Sequence, residues 1–438
     1  MASETRNESR DELPSPVANM EKHNSQDRQT VTPFSKVGSL SNMPCITRVT
    51  IKEFTNGFAS DIDPENKDKA FKLEVIPAVL ASQNLTLKAI YSRTLSSAQT
   101  LLTTYTNITL YSSDSGSGHT YHDLLLRPDI HAVILALPIL TQPEFIEAAL
   151  AAGKHVLSEK PIAQDVARAE KLIEYSKSEK VKGGATWAVA ENFRFLESFE
   201  FAKQEIGKLG RVLGFRVKVF GNVKPGGEIF WCVYLYLSFS SPFSYYTALC
   251  LTPKKRKTNQ LYLETAWRKK PEYQGGFLLD GGVHFVAGTR LLLGEEAKPT
   301  SLTAYTTLLQ EHLPPVDTVD SVWQTASGIS GTFSVSFGTT LSGSEYTVAC
   351  EKGSVTIVKS KVTVRLGEEN QDNVSSTEFK DEGSGVKQEV AAWAESLVDK
   401  SPNPKQSPEQ ALGDLEILEK MLRSGESQAQ AQSLKYQV

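Results

Sequence analysis

Three side chains stand where their types and spacing could do chemistry: Lys160 in Glu159-Lys160-Pro161, and Asp280 and His284 in Leu279-Asp280-Gly281-Gly282-Val283-His284. An ammonium can favour negative charge developing on an oxygen. A histidine titrates near neutral pH and can take or give a proton. Asp280 and His284 are four residues apart, which on a helix puts them on one face about 6 Å apart along the axis. By spacing alone, such a pair is also a surface or capping pair, or half of a metal site. No third ligand is suggested nearby, so no metal is expected.

Lys160 owes its place to the stretch 132–165. The apolar run Ala132–Leu137 is short and β-branched enough for a strand buried on both faces. Pro138 and the turn at Thr141-Gln142-Pro143 stop it, and Pro143–Ala152 follows as an amphipathic helix closed by Gly153. His155–Leu157 begins a second strand with Glu159-Lys160-Pro161 at its carboxyl end. Strand, helix and strand form a right-handed βαβ unit with parallel strands. Ligands bind outside the carboxyl ends of such strands. Further elements are expected at Leu85–Ser92 (strand), Ser96–Thr104 and Tyr121–Leu125 (helices), Asp165–Lys180 (helix) and Thr186–Ala190 (strand).

The sequence Ala136-Leu137-Pro138, then Ala152-Gly-Lys-His-Val-Leu-Ser-Glu-Lys-Pro161, with the later Asp280-Gly-Gly-Val-His284, resembles the Gfo/Idh/MocA family of nicotinamide-dependent oxidoreductases. The resemblance implies an α/β fold: an N-terminal doubly wound Rossmann domain and a C-terminal α/β domain with a large, mostly antiparallel open sheet. It implies Lys160, Asp280 and His284 as the catalytic set, with His284 the acid/base, Lys160 on the reacting oxygen and Asp280 orienting substrate or His284. Leu137, Pro138, Glu159, Lys160 and Pro161 are then cofactor-binding. Glu191-Asn192-Phe193-Arg194-Phe195 resembles the family's Asn-x-Arg-Phe segment, so that Arg194 holds a substrate oxygen or ties the two domains together.

The cofactor loop departs from the family pattern. After the strand Ile46–Ile51, the G-x-G-x-x-G/A fingerprint is replaced by Phe54-Thr55-Asn56-Gly57-Phe58-Ala59. Phe54 and Asn56 take the first two glycine positions, which serve the tight turn and the close approach to pyrophosphate. Gly57 and Asn56 can still adopt positive φ, so Asn56, Gly57, Phe58 and Ala59 are expected as a modified phosphate cradle. The charged stretch Asp63–Glu74 then separates that loop from the helix at Val75–Leu80. At the end of the second strand, where an acidic residue would select NAD, Ser92 and Arg93 suit a 2′-phosphate, so NADP is the expected cofactor and NAD the lesser one.

The chain of 438 residues, 40% apolar and 22% charged with net charge −4, is globular in composition, long enough for two domains, and offers no electrostatic case for nucleic acid. Cys45, Cys232, Cys250 and Cys350 form no C-x-x-C pair and read as reduced thiols, and residues 1–42 have no apolar core of a signal peptide. A cytoplasmic protein is expected, with residues 1–44 a disordered tail, 45–195 the Rossmann domain, 196–425 a substrate and dimerisation domain, and 426–438 a frayed tail. Strands are expected at 211–221, 300–307, 321–326, 331–337, 345–350 and 353–358, and helices at 386–398 and 408–423. Residues 229–253 carry no charge and precede Lys254-Lys-Arg-Lys257. The segment 229–263 reads as an insertion, a loop or a membrane anchor, the last disfavoured by its Ser, Tyr and Pro242. The expected activity is hydride transfer between NADP and a sugar-like, polyol or small carbonyl substrate, with a possible homodimer through the C-terminal sheet. The degenerate fingerprint admits a catalytically silent regulatory protein of the same fold, and the two insertions admit an inactive product of a faulty gene model.

Overall fold

The structure, a computed structural model, describes residues 46–52, 74–100, 108–224, 276–367 and 373–438. The loop 54–59, the stretch 63–73 and the segment 229–263 lie outside the described residues, as do 1–44. Among the described residues no helix is long and apolar enough to cross a membrane.

Two sheets organise the chain. The first contains β1 (Ile46–Lys52), β2 (Leu85–Ser92), β3 (Thr109–Ser112), β4 (Ala132–Ala136), β5 (His155–Glu159) and β6 (Trp187–Ala190). They pair in the order β3-β2-β1-β4-β5-β6, every pairing parallel. The order reverses between β1 and β4, which opens a crevice at their carboxyl ends. The second sheet contains β7 (Val212–Asn222), β8 (Pro299–Thr307), β9 (Thr318–Thr325), β10 (Ser330–Ser336), β11 (Gly338–Cys350), β12 (Gly353–Val358), β13 (Lys361–Leu366), β14 (Val374–Glu378) and β15 (Gln432–Ser433). Its order is β14-β13-β12-β11-β7-β10-β9-β8-β15, antiparallel except where β7 and β10 run parallel. The fold is a Rossmann-type domain followed by an α/β domain with a large open sheet.

The helices are α1 (Ile76–Ala81), α2 (Leu95–Thr100), α3 (Tyr121–Leu125), α4 (Gln142–Ala151), α5 (Val166–Ser176), α6 (Glu197–Lys208), α7 (Gly276–Leu293), α8 (Val386–Val398) and α9 (Pro408–Glu426). Local chemistry sets their ends. Thr120 and Asp123 form a reciprocal capping box at the start of α3. Asp165 accepts from the Arg168 N–H at 2.7 Å to start α5. Gly153, at φ +74°, turns the chain out of α4 into β5, a conformation glycine adopts without cost.

One face of the parallel sheet is covered by α1 together with α8, whose Val390, Trp393 and Ala394 pack with Ile76, Val79, Leu87 and Ile134. The opposite face carries Leu124, Ile146, Leu150 and Leu172 against Val133, Leu135 and Val156. As folding units, 45–195 and 196–425 are a proposal, and α8 crosses that division. On the second sheet, α6, α7 and α9 cover one face, while the other leaves Leu213, Tyr305, Val322 and Val358 exposed. All eighteen residues of α7 are buried, and its Asp280, His284 and Arg290 are each held by a polar partner.

The last residues correct an expectation. Residues 426–438 are not frayed: β15 pairs with β8, and the Glu416 carboxylate accepts from the Lys435 N–H (2.5 Å) and the Tyr436 N–H (2.8 Å). Gln437 donates to the Gly413 carbonyl at 3.0 Å, and the Tyr436 hydroxyl bonds Glu170 on α5. Their polar composition, taken as a sign of solvation, is consumed by hydrogen bonds to α9.

Candidate active site

Lys160 leaves the carboxyl end of β5 and meets α7. Its Nζ donates to Asp280 Oδ1 at 3.0 Å and to the Asp280 backbone carbonyl at 2.8 Å. The turn holding it is pinned by Gln142 of α4, which donates from Nε2 to the carbonyls of Glu159 (2.7 Å) and Pro161 (3.3 Å). Burial pushes the Glu159 carboxyl up to about 7, against the opposing pull of Lys160; Glu191 and Asp280 add to the rise. Helical spacing then brings His284 one turn beyond Asp280, and both are buried, at 5% and 8% exposure. Lys160, Asp280 and His284, separated by up to 124 positions, meet at one place.

Two further residues complete that place. Glu191, at the carboxyl end of β6, is 1% exposed and lies 2.7 Å from His284 Nδ1 through its Oε1. Burial drives the Glu191 carboxyl upward, but the His284 ring, Arg194 and Lys160 outweigh it and hold the group below its ordinary range. A carboxylate only accepts, so Nδ1 carries the proton. Phe193 stacks on the same imidazole, with centroids 5.0 Å apart and planes at 21°. Neither residue was singled out from sequence. The available signal was an acidic residue at the carboxyl end of the last parallel strand, where ligands gather.

Arg194, expected to hold a substrate oxygen or to tie the domains together, is engaged by the protein itself. It is 3% exposed and pairs with Asp414 of α9, which also binds Arg290 Nη1 at 2.6 Å. Burial lifts the Asp414 carboxyl, and the two guanidiniums oppose that rise. Arg194 thereby ties the turn Asn192–Phe195 to α9.

With the site laid out, comparison with known proteins is informative. Residues 70–185 match the oxidoreductase family's NAD-binding Rossmann fold, and residues 245–432 match its C-terminal alpha/beta domain, both of the Gfo/Idh/MocA type. Dehydrogenase FPY6 of Fusarium mangiferae is 37% identical over 371 residues, 83% of this chain and 95% of the relative. The chain belongs to the Gfo/Idh/MocA oxidoreductase family. Like other members it is an NAD(P)-dependent dehydrogenase or reductase. The fold is shared with the aldose-aldose oxidoreductase of Caulobacter crescentus complexed with glycerol (TM-score 0.65, 18% identity, 89% of this chain and 100% of that one). It is shared too with KijD10, a 3-ketoreductase of Actinomadura kijaniata, in complex with NADP and TDP-benzene (TM-score 0.61, 18% identity, 87% and 97%).

The described part of this family member's crevice has donors that fit a dinucleotide. Ser92 ends β2 with 1% exposure, followed by the half-exposed Arg93 and by Thr94, whose hydroxyl donates to Ser97 at 2.8 Å. Hydroxyls beside a guanidinium suit ribose and phosphate oxygens. Asp114 also reaches this turn, accepting from the Leu95 N–H at 2.8 Å, and its carboxyl is held low by the Ser112 hydroxyl and that N–H. At the end of β4, Leu137 is 9% exposed, and the Pro138 carbonyl accepts from the N–H groups of Thr141 and Gln142, both at 3.0 Å. Asn56, Gly57, Phe58 and Ala59 lie outside the described residues.

Proposed function

We propose that this chain is an NADP-dependent oxidoreductase that moves hydride between nicotinamide and a sugar-like, polyol or small carbonyl substrate. The observation that carries the reading is the convergence of Lys160, from the end of β5, with Asp280 and His284, one turn apart on α7. When bound, the nicotinamide accepts or gives the hydride. Lys160 hydrogen-bonds the reacting oxygen and favours negative charge on it. Asp280, whose side chain and carbonyl both accept from the ammonium, fixes where that charge sits. In oxidation the substrate hydroxyl gives its proton to His284; in reduction His284 returns it to the new hydroxyl. Proton and hydride leave the same carbinol, so the carbonyl product balances.

For cofactor choice, Ser92 and Arg93 would hold the 2′-phosphate, with Leu137, Pro138, Glu159 and Pro161 along the rest of the crevice. KijD10's complex with NADP supports this reading, and the aldose-aldose oxidoreductase supports a sugar-like substrate. Asp114 favours a second reading, NAD, because its carboxylate would face a 2′-phosphate at the turn after Arg93. The exposed apolar residues on the open sheet, Leu213, Val322 and Val358, support a homodimer through that face. A cytoplasmic location is part of the same proposal.

Fluorescence titration with NADPH and NADH, followed by a screen of aldoses, polyols and small ketones, tests the reading. Tighter binding of NADPH and turnover of one screened class are expected. Preference for NADH overturns the NADP assignment. Binding without turnover identifies a silent regulatory member, and no binding of either removes the oxidoreductase reading.

A further inference from the structure

We infer that the turn Glu191–Phe195 is a clamp that sets the tautomer and plane of His284, with Glu191 a positioning residue for the proton transfer. The inference rests on the reading of His284 as acid/base. The geometry is independent of it.

Glu191 closes β6, and the 3-10 turn Asn192–Phe195 follows directly. Each side chain of the turn is committed. Glu191 Oε1 accepts from the Phe193 N–H at 3.2 Å, closing the turn on itself, and lies 2.7 Å from His284 Nδ1. Phe193 covers the face of the imidazole and also packs edge-on against Phe285, the next residue of α7. Asn192 Nδ2 donates to the Ser384 carbonyl at 2.6 Å, and Arg194 pairs with Asp414. Phe195 is buried under Lys405, whose Nζ is 5.2 Å from the ring centroid. Asn192 and Arg194 anchor the turn, and among the described residues Glu191 holds the imidazole along its edge and Phe193 on its face.

The chemical consequence concerns which nitrogen works. With the Nδ1 proton held by Glu191, Nε2 is the nitrogen that exchanges a proton with substrate. When His284 becomes imidazolium, the carboxylate beside it compensates the new charge. Glu191 touches neither substrate nor cofactor in this scheme and acts through His284. The charged groups around Glu191 are His284 itself, the cations Lys160 and Arg194, and the carboxyls Glu159, Glu389 and Asp414. Burial raises all three of these carboxyls, while the ring, Arg194 and Lys160 hold Glu191 low, so Glu191 is the anion that meets the ring.

Glu191→Gln and Glu191→Ala separate hydrogen bonding from charge. The glutamine keeps an acceptor for Nδ1–H but loses the charge, so kcat/KM for the oxidation falls about tenfold and its acid limb moves to lower pH. The alanine loses both, and kcat falls on the order of 10²-fold, with cofactor affinity unchanged. Long-range ¹H–¹⁵N spectra of histidine-labelled protein, with His284→Asn assigning the ring, read the tautomer without any substrate. Wild type is expected to show His284 protonated at Nδ1, Glu191→Gln the same, and Glu191→Ala a mixture. A wild-type ring protonated at Nε2, or a Glu191→Ala ring unchanged from wild type, overturns the clamp. The expected spectra from a protein that turns over no substrate uphold the clamp and overturn only the oxidoreductase reading.

Discussion

A guanidinium that is 3% exposed and bonded to a buried carboxylate is part of the protein's own framework. Arg194→Ala is therefore expected to act on stability: leaving Asp414 with half its compensation costs about 3–5 kcal/mol. Denaturant unfolding should show this, while the folded fraction binds cofactor as wild type does. The catalytic candidates were legible because each sits in a short motif: Lys160 between Glu159 and Pro161, Asp280 and His284 one helical turn apart. Glu191 was not. Its partner is 93 positions away, and a carboxylate ending a strand looks the same in sequence whether it meets solvent or an imidazole. Arg194 likewise carries two readings, since its type permits both.

Among the elements, those with a strong local pattern were read closely. Leu85–Ser92 and Val386–Val398 have the bounds expected, because alternation or helical spacing runs through them to a turn residue. Strands Lys361–Leu366 and Val374–Glu378 went unread; the second is exposed along its whole length and rich in Ser and Thr, so no buried face marks it. The parallel pairing of β7 with β10 was also hidden, since pairing across more than a hundred residues leaves no local trace. The start of α8 is more sharply constrained than its apolar spacing suggests. Gly385 sits at φ +85°, and a Cβ there would meet the carbonyl of Asn192, in the turn that holds His284. Gly385→Ala combines an unfavourable backbone with overpacking, about 2–4 kcal/mol together. A lowered melting temperature with reduced kcat is the expected result, and calorimetry beside a turnover assay checks it.

At the scale of the whole molecule, the carboxyls gathered beneath the site make stability depend on pH. The Glu159 carboxyl titrates ordinarily near 4.5 and in the folded protein near 7, chiefly through burial. The folded state thus holds this proton more tightly than the unfolded chain. Stability from this group is unaffected below about pH 4.5, falls as pH rises toward 7, and stays reduced above it, by on the order of 3 kcal/mol. Glu159→Gln should flatten that decline, which urea unfolding at pH 5 and pH 8 would reveal; an unchanged slope would assign it to Glu389, which burial also pushes upward.

The position of α8 carries a consequence for how the chain is made. Val390, Trp393 and Ala394 belong to the same apolar cluster as strands completed by Ala190. A ribosome adding about 5–20 residues per second needs some 10–40 s to cross the intervening stretch of about 200 residues. For that interval the part of this face that Val390, Trp393 and Ala394 will cover lacks those residues, with α1 alone of the two helices in place, a surface for holding chaperones. Release of residues 45–195 alone would leave that face with α1 but permanently without α8.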